Sequence, residues 1–108
     1  MGKLFDAEHM KAVESFKKAV PEMHEAYDAW KKKAMSDGAL NRKTKELIGV
    51  GIAVAINCEY CMDSHAKKAK AFGASKQEIA EVIQVAAGIL SGSALSQGMK
   101  ALQSYDEK

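Results

Sequence analysis

The chain has little of what staples or punctuates a fold: one proline, two cysteines and one tryptophan in 108 residues. It also lacks charge of one sign. Sixteen Lys and Arg against fourteen Asp and Glu leave a formal charge of +2, too small for a partner recognised mainly by its charge, such as a nucleic-acid backbone. Lys31-Lys32-Lys33 and Lys67-Lys68 read as solvated helix faces. No long hydrophobic run is present either. The longest, Leu47 to Ile56, has ten residues, about half of what a transmembrane helix needs. The start, Met1-Gly2-Lys3-Leu4-Phe5-Asp6, has no apolar signal core, and Asp6 stands where myristoylation requires Ser or Thr. These absences predict a cytoplasmic protein that engages neither membrane nor nucleic acid. In a reducing compartment two cysteines three residues apart serve redox or metal chemistry rather than a structural staple.

What is present describes an ordinary globular chain: 47% hydrophobic and 28% charged residues, with no repeat, linker or low-complexity tract. Its length predicts a single domain over residues 1–108. Helical periodicity dominates. Ala7, Met10, Val13 and Phe16 form one stripe behind an Asp6 cap; Met23, Tyr27, Trp30 and Ala34 form another, opened by Pro21 and closed by Gly38. Both stripes read as core. Asn41 caps a third helix running to about Ile56, Asn57 a fourth ended by Gly73, and Ser75-Lys76-Gln77-Glu78 fits a capping box for a fifth. A short sixth covers Ala94 to Tyr105. The expected fold is all-α, with about six helices.

One segment is ambiguous. Ile48 to Val54 holds β-branched residues and two glycines, which propensity alone would accept as a strand. As a helix it is apolar nearly all round and has to be buried on most sides. The same holds for Val82 to Leu90, where Ala87, Gly88, Ser91 and Gly92 permit close backbone approach. Burying both seams calls for other subunits.

The chemistry concentrates in Cys58, Cys61 and His65, a C-x-x-C-x-x-x-H pattern, with Glu46 twelve residues before the first cysteine. On a helix His65 projects about 40° from Cys61 and about 20° from Cys58, so the three share a face. An i, i+3 cysteine pair can close a disulfide or hold one ion. Four readings follow. A thioredoxin-type domain needs strands and a proline after the motif, and this chain has neither pattern. Covalent haem attachment needs His directly after the second cysteine, where Met62 stands. Zinc could take Cys58, Cys61 and His65, with Glu46 or a partner subunit as fourth ligand, giving a non-enzymatic metal-binding or redox-responsive oligomer. Two buried cysteines beside a satisfied histidine are the plainest alternative.

The redox reading has a mechanism. Capped by Asn57, Cys58 and Cys61 fall in a first helical turn, where exposed amides favour thiolate. Bringing a free thiol from a pKa of about 8.5 to about 6 takes roughly 3.4 kcal/mol. A helix terminus supplies about 0.3–1 kcal/mol. A base or cation has to make up the difference, and His65, one turn beyond Cys61, is placed to do so. Glu46 could orient that imidazole, provided the third and fourth helices fold back as an antiparallel hairpin; on one continuous helix the two residues would stand nearly 30 Å apart. The plain alternative for Glu46 is a surface carboxylate paired with Arg42 or Lys43.

Lys45-Glu46-Leu47-Ile48, Ile56-Asn57-Cys58-Glu59-Tyr60-Cys61, His65 and Ala71-Phe72-Gly73-Ala74-Ser75 resemble the alkylhydroperoxidase D-like branch of the carboxymuconolactone decarboxylase family. The resemblance covers about half the chain, from Lys43 to Gly92. It implies an all-α homo-oligomer, hexamer favoured over trimer, and peroxide reduction by a cysteine pair without metal or organic cofactor. Cys61 would be the peroxidatic thiolate, Cys58 the resolving cysteine, His65 the base, and Glu46 its partner in a proton relay. A peroxide would be the substrate and a dithiol protein the electron donor. Some members carry a histidine between the cysteines, where Tyr60 stands here. Decarboxylase members generally lack the cysteine pair, which makes lactone decarboxylation the lesser inference.

Overall fold

The computed structural model describes residues 6–108 as five α-helices, with no strand among them. Residues 1–5, on which the signal-core and myristoylation readings rest, lie outside the described residues. Helix α1 (Ala7–Ala19) starts where the Asp6 side chain accepts the His9 amide, and α2 (Pro21–Met35) carries its proline at the first position. Helix α3 (Arg42–Ala55) is capped by Asn41, which accepts the Thr44 amide at 2.8 Å. Helix α4 (Glu59–Ala71) returns antiparallel to it, and α5 (Lys76–Asp106) opens on the Ser75–Glu78 capping box. The all-α expectation holds, and so does the α3–α4 hairpin.

The hairpin corner differs from the sequence expectation. Asn57 does not cap α4. It ends α3 in the left-handed region, at φ 54°, a conformation Asn tolerates better than most residues. Its amide bonds the Val54 carbonyl at 3.2 Å, and the Cys58 amide bonds the Ala53 carbonyl at 2.9 Å. That is a Schellman closure, which satisfies the last carbonyls of α3 and turns the chain back. The N-cap of α4 is therefore Cys58, one residue later than expected. Gly73, at φ 96°, repeats the closure at the other end of α4, with the Gly73 and Ala74 amides on the Lys70 and Ala69 carbonyls. The ambiguous Ile48–Val54 run is helical because it lies between α4 and α5, and that packing overrides strand propensity.

The expected sixth helix is not separate. Gly88, Gly92 and Gly98 weaken a helix by about 1 kcal/mol each, yet no proline interrupts Lys76–Asp106, and the two segments run as one. At 1.5 Å per residue α5 is about 46 Å long against about 21 Å for α3, so its C-terminal half extends past the hairpin. By length and composition α5 is also long and apolar enough to cross a membrane.

The α1 and α2 stripes are not core within one chain. Neither helix has a buried residue, and Phe16, Met23, Tyr27 and Trp30 are all more than half exposed. The reason is architectural: α3, α4 and α5 form the packed unit, and the first two helices only border it. The buried residues described are few and mostly small: Val50, Ala53, Ala69, Ala86 and, alone among charged residues, Glu46. The radius of gyration is 18.4 Å, where a compact chain of this length has about 13 Å. The accessible surface is 8452 Å², roughly 2,600 Å² more than a globular monomer of this mass exposes.

Candidate functional site

The site is built where the middle of α3 crosses the first half of α4. Glu46 lies one turn into α3 with its side chain 0% exposed. A carboxylate taken wholly out of water needs partners for both oxygens, and it has them. Oε1 meets His65 Nδ1 at 2.7 Å, and Oε2 accepts from Arg42 Nε at 3.1 Å. The surface-carboxylate alternative is half right: the Arg42 pair exists, but on a buried group that also holds His65.

Cys58 and Cys61 are joined as a disulfide, with Cα atoms 5.2 Å apart. Cys58 Sγ also accepts the Cys61 amide at 3.2 Å, so the first cysteine acts as the sulfur cap of α4. The second lies one turn in, and Cys61 and His65 together line a pocket of about 380 Å³. Other walls of this pocket come from Tyr27 and Trp30 on α2 and Ile48, Gly49 and Ile52 on α3. Lys45 holds the end of α2 over it, donating to the Ala34 and Ser36 carbonyls at 2.8 and 2.6 Å. Those carbonyls belong to the last turn of α2 and its cap, where no further helical amide would reach them.

The structure therefore joins Glu46 to His65, sets His65 and Cys61 on one pocket, and ties Cys58 to Cys61 through the disulfide. Among the described residues no three His, Cys, Asp or Glu side chains converge to hold a metal ion. Two members of the site escaped sequence reasoning. Gly49 sits under the imidazole, where a β-carbon would come within 2.9 Å of His65 Cγ and Nδ1. Its signal was present: a glycine within an apolar helix has a cost that close packing can explain. Phe72, the C-cap of α4, lies under the Arg42 guanidinium at 4.5 Å from the ring centroid, and no spacing rule links those two.

Comparison with known proteins fits this geometry. The profile of the carboxymuconolactone decarboxylase family matches residues 21–104, from the first turn of α2 almost to the end of α5. The chain belongs to the carboxymuconolactone decarboxylase family. Its alkylhydroperoxidase D-like motif is consistent with that membership. A Paracoccus denitrificans relative, called uncharacterized protein 4 in cox locus, is 40% identical over 83 residues, which span 77% of this chain and 75% of that protein. A crystal structure from Methanobacterium thermoautotrophicum superposes with a TM-score of 0.74 at 34% identity, over 80% of this chain and 97% of that one. A carboxymuconolactone decarboxylase family protein from Legionella pneumophila, in its apo form, gives a TM-score of 0.72 at 29% identity, over 92% and 88%. These likenesses support the family and its helical fold, and the disulfide at Cys58–Cys61 is compatible with redox chemistry on it.

Proposed function

We propose that this family member is a thiol-dependent peroxidase or disulfide reductase whose working group is the Cys58–Cys61 dithiol. The observation that carries the reading is the buried Glu46–His65 contact of 2.7 Å, in a histidine that shares its pocket with Cys61. Glu46 holds the imidazole through Nδ1, so the proton exchanged with the sulfur would pass through Nε2. Cys61, as thiolate, attacks the terminal oxygen of a hydroperoxide. The O–O bond breaks, the alkoxide takes a proton from His65 and leaves as an alcohol, and Cys61 becomes a sulfenic acid. Cys58 then attacks the Cys61 sulfur, water leaves, and the disulfide forms. The Cys61 amide on Cys58 Sγ favours a thiolate at that resolving position. Two electrons from the dithiol of a partner protein, which is itself oxidised to a disulfide, restore the pair. No metal or organic cofactor takes part.

The same reading includes a homo-oligomer. It is supported by the surplus of accessible surface, which is on the scale of an obligate interface. The largely apolar groove of about 640 Å³ between α3 and α5, and the projecting half of α5 with Leu95, Met99 and Leu102, supply the faces. Gln84, Gln97, Lys100 and Gln103 along α5 suit contact with other subunits better than contact with lipid.

The test is peroxide consumption with a dithiol reductant. Cys61→Ser is expected to abolish turnover, while Cys58→Ser is expected to permit one sulfenate per chain and no cycling. Equal consumption by wild type and Cys61→Ser would rule the reading out.

A further inference from the structure

Arg42 is the first residue of α3, and its side chain does two things at once. Its Nε bonds Glu46 Oε2 at 3.1 Å, and its guanidinium carbon lies 4.5 Å from the centroid of the Phe72 ring. Phe72 closes α4, the helix that carries His65. The contacts form a ring: α3 grips α4 through Glu46 on His65 near its middle, and through Arg42 on Phe72 at its end. Glu46, fully buried, is common to both halves. The guanidinium side chain is itself 29% exposed, so its place is set by the aromatic face and the carboxylate more than by enclosure.

Building on the thiol reading, we propose that Arg42 is a positioning residue of the site: it holds the far oxygen of Glu46 so that the near oxygen stays on His65 Nδ1. Without that donor, one oxygen of a buried carboxylate has no partner. The side chain then swings toward water or takes up a proton, and either change removes its support from His65. The planar, stacked geometry suits arginine rather than lysine, whose ammonium is a point charge that cannot lie flat on a ring. Arg42 acts through Glu46 and touches neither the sulfur nor the substrate. Its loss is therefore expected to reproduce the loss of Glu46 rather than add to it.

The experiment measures iodoacetamide alkylation of reduced Cys61 in a Cys58→Ser chain, where it is the single thiol. Folding of each variant is checked by thermal melt. Glu46→Gln is expected to slow alkylation about tenfold or more and Arg42→Met about fivefold or more, while the double variant falls within about twofold of Glu46→Gln alone, because coupled residues are not additive. A merely structural Arg42 would instead multiply the two losses, and that result overturns the proposal. So does Arg42→Met within about twofold of its parent while Glu46→Gln is slow. Should Arg42→Met fail to fold, Phe72→Leu decides. It keeps the charge and is expected to slow alkylation to a smaller extent; a rate equal to the parent's overturns the proposal. If Glu46→Gln itself is without effect, the relay in the proposed function fails first and Arg42 with it, an outcome distinct from all the others.

Discussion

Gly49 and His65 meet so closely that a β-carbon on the glycine would lie 2.9 Å from two atoms of the imidazole and 3.3 Å from its Cβ. The absence of a side chain on α3 is what lets the ring on α4 sink to the depth of Glu46. Gly49→Ala improves helix propensity by about 1 kcal/mol and overpacks the contact by about 1–3 kcal/mol. The expected result is a small net change in melting temperature with a large fall in Cys61 alkylation rate, because the ring leaves Glu46 before the fold fails. Parallel measurement of both quantities checks it; an unchanged rate would mean that the imidazole tolerates displacement.

Trp30 and Tyr27 stand over the pocket that Cys61 and His65 line. Trp30→Ala removes the larger of these walls from a helix that is only loosely attached. The expected outcome is a raised KM for an aryl-alkyl hydroperoxide and little change for hydrogen peroxide, which has no apolar body to bind. Steady-state kinetics with the two substrates measures the difference. A parallel rise in both would place Trp30 in the fold of α2 rather than in recognition.

The Lys43 ammonium, 2.8 Å from Glu78, together with the Ser75 amide, holds the Glu78 carboxyl below the ordinary glutamate value. A lowered folded value means the unfolded chain binds the proton more readily. The contribution is complete above the unfolded pKa, about 4.3, and is lost as pH falls through the lower folded one. Glu78→Gln keeps the capping box, which glutamine also completes, and removes the charge. Its melting temperature is expected to fall less than that of wild type between pH 5 and about 3. Since both partners are about one-third exposed, the difference should shrink in high salt.

Ile89 and Leu95 are each 67–68% exposed on α5, on faces assigned above to other subunits. Lysine at both, Ile89→Lys with Leu95→Lys, is expected to lower the mass measured by light scattering to that of one chain, with helicity largely retained. An unchanged mass would move the interface elsewhere.

Much of this was legible before any coordinates, because helix termini are written in short-range chemistry. Asp6, Pro21, Asn41, Gly73 and the Ser75–Glu78 box each stand where a cap or stop was expected. The hairpin followed from requiring Glu46 to reach His65. What stayed hidden was non-local or shared between two roles. Asn57 suits an N-cap and a left-handed C-terminal closure equally well, and only the chain reversal decides between them. The stripes on α1 and α2 carry the periodicity of core helices, yet periodicity does not say which surface covers them. Arg42 on Phe72 joins residues thirty apart in sequence, beyond any local rule.

The reading stands most directly on one rate. A Cys58→Ser chain, reduced and mixed with an organic hydroperoxide, should form one sulfenic acid per chain at Cys61, trapped by dimedone and located by mass spectrometry. Replacing His65 with Asn in that chain should slow the trapping about tenfold or more. Equal rates with and without the imidazole, or no sulfenic acid at Cys61, would contradict the account.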